Sequence, residues 1–225
     1  MRRRMRFKWI IGVLLANACL LVGHGQYRIL PGKTIPGDFE DCDPKTPARI
    51  CLGSNGEEHC YLPPSDKLPP PSEVAYIFGL EPKAKAVGRL NGQDLTLFTA
   101  TYSGCGSGTL THFSLLTVRE GKFVNLLPNV ELTNQSEYKI WRLPLVSSLP
   151  VLATADFIWG MKAGETHFAH HRYTINLYVF DAKSGKYLRR IEYETTKKYP
   201  GLDDADEIKV LDAEKPAILA KLRQR

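Results

Sequence analysis

Three of the six histidines fall within five residues, in the stretch GETHFAHHRYTINLYVF that runs from Gly164 to Phe180. His167, His170 and His171, with Glu165 beside them, are residue types that ligate divalent ions. Asp156 and His112 are the nearest further candidates for such a set. A metal held with one coordination position open activates water, so the chemistry these residues suggest is metal-assisted hydrolysis. Spacing restricts it. On an extended chain His170 and His171 point to opposite faces, while His167 and His171 share a face about 13 Å apart, and zinc holds nitrogen ligands at about 2.0–2.1 Å. One ion therefore requires the stretch around Gly160 and Gly164 to be a loop that folds His167 back toward its neighbours. No H-E-x-x-H spacing is present to place two histidines on one helical face. The preferred reading is a hydrogen-bonded loop and strand entry, with the divalent-metal set as the alternative. His112 shares a face with Leu110, Leu116 and Val118, which reads as a core histidine.

Other motifs carry less chemistry. In YSGCGSGT, from Tyr102 to Thr109, Ser107 and Cys105 stand among glycines, but the stretch joins two strand patterns. A nucleophile elbow or dinucleotide loop leads into a helix instead. The acidic run LDDADE, from Leu202 to Glu207, lacks the glycine and spaced glutamate of an EF-hand-type loop and reads as a solvated turn. No cofactor-binding motif is expected.

The chain begins with five basic residues, an apolar run from Trp9 to Val22 and then small residues, the layout of a secretory signal peptide. The run has 14 residues, and a spanning helix needs about 20. Residues 1–25 are expected to be removed before Gln26. A membrane attachment enters only through an uncleaved signal or a lipidated Cys19, which Leu20, Leu21 and Val22 disfavour. Without residues 1–25 the basic residues fall from 30 to 25 against 24 acidic ones. The sequence pI of about 9.0 therefore belongs largely to the leader and gives no support for a nucleic-acid partner.

Cys42, Cys51, Cys60 and Cys105 remain, an even set that reads as two disulfides with three connectivities. Only three of them lie in the N-terminal segment, so Cys105 is expected to bond one of Cys42, Cys51 or Cys60. Nine of the 15 prolines fall between Pro31 and Pro71, which sets a composition boundary near residue 72. The division is a Cys- and Pro-rich segment over 26–72 and a globular domain over 73–225.

In the second part the apolar period is mostly two. The runs 94–102, 109–118 and 123–127 form a meander, and Val151 to Trp159 reads as a strand covered on both faces. In the last hairpin Tyr173, Ile175, Leu177 and Val179 share a face, and Tyr187, Ile191 and Tyr193 return opposite Arg190, Glu192 and Glu194. A helix is predicted over about 213–224, with Pro216 near its start and cations at its end. The expected fold is mainly β, an antiparallel meander or a sandwich or propeller-like sheet array with one C-terminal helix. The function this predicts is an exported non-enzymatic binding or interaction module, periplasmic or extracellular, with a protein or glycan ligand. The alternative is a hydrolase-like metal enzyme built on His167, His170 and His171.

Overall fold

Asn91 and Gly92 take positive φ of 51° and 81°, and Glu120 and Gly121 take 50° and 71°. Each pair closes a two-residue hairpin in the computed structural model, because two consecutive left-handed residues match the twist of the strands they join. The structure describes residues 27–34, 44–53, 59–61, 81–102, 110–128, 131–134, 137–158, 166, 169–200 and 209–224. The strands are β1 (Tyr27–Leu30), β2 (Lys33–Thr34), β3 (Pro44–Thr46), β4 (Arg49–Leu52), β5 (His59–Cys60), β6 (Glu81–Leu90) and β7 (Gln93–Tyr102). They continue as β8 (Leu110–Arg119), β9 (Lys122–Asn125), β10 (Glu131–Asn134), β11 (Glu137–Trp141), β12 (Val151–Phe157), β13 (Tyr173–Asp181) and β14 (Lys186–Glu194), followed by helix α1 (Val210–Arg223). The protein is mainly β, with antiparallel sheets and a C-terminal helix, as its period-two patterning predicts.

The sheets stack in layers. Sheet β10-β8-β7-β6, with β9 paired to β8, faces sheet β11-β12-β13-β14. Leu95, Leu97, Phe113 and Leu115 from the first meet Leu152, Tyr178 and Tyr187 from the second in one core. The opposite face of the second sheet carries Val151, Ala153, Ala155, Phe157, Tyr173, Ile175, Leu177 and Val179, and these pack against Val210, Leu211 and Ile218 of α1. β12 is thus largely covered on both faces, as apolar and small residues at both alternating sets of positions predict. The outer face of the first sheet receives sheet β1-β4-β5, where Ala48, Ile50 and Tyr61 meet Phe98, Ala100 and Leu116. The described residues of the N-terminal segment share this core with the first sheet. Each large apolar side chain removed from water in these layers contributes about 1.5–3 kcal/mol.

One face assignment differs from expectation. Tyr187 points into the core between the sheets, whereas Ile191 and Tyr193 face α1. Strict alternation would put all three together. The register skips from Leu177↔Ile191 to Tyr178↔Arg189, so Arg190 is an extra residue. Such a bulge inverts the alternation beyond it. The inversion lets the Tyr187 hydroxyl donate to the Pro150 carbonyl at 2.7 Å, which satisfies it inside the core.

The helix also starts one turn earlier than predicted, at Val210, so Pro216 lies in its interior. Lys209 at the cap position makes no side-chain capping bond. The cap comes from β11: Glu137 Oε2 accepts the Leu211 N–H at 3.0 Å. Lys139 lies 3.6 Å from the same carboxylate and pairs with Asp212. Glu214, one turn on, accepts the Tyr193 hydroxyl at 2.7 Å and the Tyr199 hydroxyl.

Burial pushes the Glu137 carboxyl above its ordinary value of 4.5, against the opposing pull of the backbone N–H groups and Lys139. Because the folded chain holds this proton more tightly, the contribution is full below pH 4.5 and is lost as pH rises through the raised value. Glu137→Gln keeps an acceptor for Leu211 and removes the titration, so the stability of the wild type is expected to fall relative to the variant between pH 4 and pH 7 in denaturant melts. Parallel curves would remove the assignment.

Cys51 and Cys60 are register partners on β4 and β5 and form a disulfide. Cys42 and Cys105 lie outside the described residues. With Cys51 and Cys60 joined to each other, non-reducing peptide mapping is expected to recover Cys105 linked to Cys42. A Cys105 peptide joined to Cys51 or Cys60 would contradict the register.

Candidate functional site

His171 lies just before β13 and is joined to Tyr199 by two backbone bonds of 2.9 and 2.7 Å. Its ring is buried 4.0 Å from that of Phe157, and Nε2 stands 2.8 Å from the Thr166 carbonyl. A carbonyl only accepts, so Nε2 carries the proton. That nitrogen is engaged in holding the loop. His170, the next residue back, is exposed, the opposition of neighbours that an extended chain imposes. His167 and Glu165 lie outside the described residues. Asp156 is half-buried and alternates with Phe157 on β12, so it sits on the sheet face opposite the Phe157–His171 contact. Among the described residues no three His, Cys, Asp or Glu side chains converge on one point.

His112 occupies another layer. It lies on β8 with Leu116 on the face toward β1-β4-β5, separated from His171 by the core between the two large sheets. Its Nε2 is 3.1 Å from Ser114 Oγ, which is 3.1 Å from the Tyr61 hydroxyl. A serine within reach of an imidazole is the beginning of a nucleophile and base pair. Here Ser114 is 0% and His112 1% exposed. No substrate carbonyl can reach the hydroxyl, and the chain of contacts serves to join the N-terminal layer to the central sheet. Spacing placed His112 on the correct face but gave no sign of Tyr61, whose partner lies 53 positions away.

A concavity among the described residues lies elsewhere, between β6 and β11. It encloses about 540 Å³ and is lined by Lys83 to Val87 from one strand and Tyr138 to Arg142 from the other, with Leu97 and Thr99 behind. Among the described residues each of these strands pairs with one neighbour, β6 with β7 and β11 with β12, so both present an open edge there. Lys83 and Lys85 stand opposite Thr99 and Leu97 in register. Leu97 points into the core between the sheets, so both lysines point toward the mouth of the gap between the sheets. Tyr138 and Ile140 reach the same gap from β11. Arg142 donates from Nη2 to the Val87 carbonyl at 3.4 Å and bridges the groove at that point. Val87 is the extra residue of a bulge between Ala86↔Thr96 and Gly88↔Leu95. Close by, a Cβ on Gly88 would meet Pro150 Cδ at 3.1 Å, so glycine there admits the approach of the two sheets.

The groove is an apolar floor with a cationic rim. The sequence signal for it is the alternation Pro82-Lys83-Ala84-Lys85, which marks an exposed edge strand, followed by the Asn91-Gly92 turn. Its second wall, β11, lies in the stretch 131–147 that has no clear period. Comparison with family models, with curated proteins and with solved structures gives no match.

Burial drives the His112 pKa down from 6.5 to about 4. The folded value lies below the unfolded one, so its stability contribution is full above pH 6.5 and is lost as pH falls through 4. His112→Gln is expected to spare the protein roughly 3 kcal/mol of the wild type's loss between pH 7 and pH 4, measured by urea melts. Equal losses would show that His112 is not held neutral in the core.

Proposed function

We propose that the chain is an exported, non-enzymatic binding module whose ligand sits in the groove between β6 and β11. The observation that carries this reading is the groove itself: an apolar floor of Val87, Leu97, Tyr138 and Ile140 with three cations, Lys83, Lys85 and Arg142, at its rim. Binding sites combine an apolar lining with a few polar groups that orient the ligand. Export is supported by the leader-like residues 1–25 and by the Cys51–Cys60 disulfide, which persists in oxidising compartments. Among the described residues no helix is long and apolar enough to cross a membrane.

The test is thermal and denaturant stability of residues 26–225 in the presence of anionic peptides, sulfated oligosaccharides and neutral oligosaccharides in turn. A ligand that binds the folded state alone adds about 2.7 kcal/mol at a hundredfold excess over Kd. One of these classes is expected to stabilise the wild type and to lose its effect on Lys85→Trp, which fills the mouth of the groove from an exposed position. Stabilisation that survives Lys85→Trp, or turnover of the ligand, would overturn the reading.

A further inference from the structure

We infer that the groove takes an acidic peptide in extended conformation, added as a strand to the open edge of β6. The inference rests on the binding-module reading and deepens it by naming the ligand class.

The backbone argues for a strand. Lys83 to Val87 line the groove without a gap in sequence, as do Tyr138 to Arg142. Side chains alternate between faces, so consecutive residues line a cavity together only when the strand's edge is turned toward it. That edge offers N–H and C=O groups that only another strand matches in period. Five residues span about 13 Å at 3.3 Å per residue, enough for a short added strand.

Charge selects its sequence. Lys139 is engaged by Glu137 and Asp212. Lys83 and Lys85 form no ion pair among the described residues, and Arg142 reaches a carbonyl rather than a carboxylate. Glu81, at the outer end of β6, is not part of the groove lining. Among the described residues three cations without a paired carboxylate therefore line the mouth of the gap. Lys83 and Lys85 lie roughly 6.6 Å apart on one face, the separation of residues i and i+2 on a strand beside them. Acidic residues at those positions meet the lysines as opposite-charge cross-strand pairs.

The same lysines exclude other occupants. Two copies pairing through β6 would set Lys83 and Lys85 against lysine, and like charges directly opposite are destabilising. A sulfated oligosaccharide answers the charge but leaves the regular series of edge amides unmatched. An acidic strand answers both.

A random dodecapeptide display library, selected on the immobilised chain, is the probe, and the strongest binder is then followed by fluorescence anisotropy. Enriched peptides are expected to carry Asp or Glu at i and i+2. Binding should weaken about tenfold or more for Lys83→Glu, Lys85→Glu, two exposed positions whose exchange leaves stability nearly unchanged. N-methylation at alternate peptide amides should weaken it similarly, while methylation at the intervening ones should not. No enrichment, or a binder indifferent to both changes, overturns the peptide assignment. If a sulfated oligosaccharide then stabilises the wild type and not Lys85→Trp, the groove remains a binding site with another occupant. If neither ligand acts through the groove, both readings fail.

Discussion

Sheet β11-β12-β13-β14 is buried on both faces, one beneath the opposing sheet and the other beneath α1. Its inner strands bury most of their side chains, which favours recognition at an edge or an end. The opposing sheet is covered in the same way, by the N-terminal layer outside and by the second sheet inside. Two sheets stacked between outer layers keep open edges, and a protein with such edges must blunt or use them. At β6 the chain does both: the inward lysines deter pairing with another copy, while the groove beside them remains accessible.

The helix is the cover on which the second sheet depends, and it is fastened by charge as well as by packing. A buried carboxylate from β11 holds the first turn of α1, and Glu214 gathers two tyrosine hydroxyls one turn later. Lys215 lies over Trp141 and Lys221 over Tyr193, at 5.2 and 4.8 Å from the ring centres. Cations above aromatic faces add about 0.5–1 kcal/mol each at exposed sites. The Glu137 anchor and the groove share β11: Glu137 serves the helix, and Tyr138 and Ile140, alternating with it, line the gap. The strand that closes the helix interface is thereby the second wall of the proposed site.

The sequence reveals what depends on neighbouring residues. The meander, the two-sided β12 and the face shared by Tyr173, Ile175, Leu177 and Val179 all follow from alternation along one strand. The Tyr187 face does not, because a bulge at Arg190 is set by the pairing of two strands and leaves no mark in either alone. The early start of α1 is hidden for the same reason, since its cap lies 74 positions away. The histidine stretch drew attention through residue type, yet the two described members of it point apart, and His171 is occupied in holding Thr166. The groove was illegible because it is made by two edges that meet only in the stacked sheets. A lysine alternating with alanine marks an edge but not what faces it.

The most direct test of this account is amide hydrogen exchange, followed by NMR in the free chain. An open groove predicts that the outward amides between Lys83 and Val87 and between Tyr138 and Arg142 exchange orders of magnitude faster than those of β7, β12 and β13, whose bonds lie inside the sheets. Equal protection of edge and central strands would contradict it, because the edges would then already be covered by the chain itself.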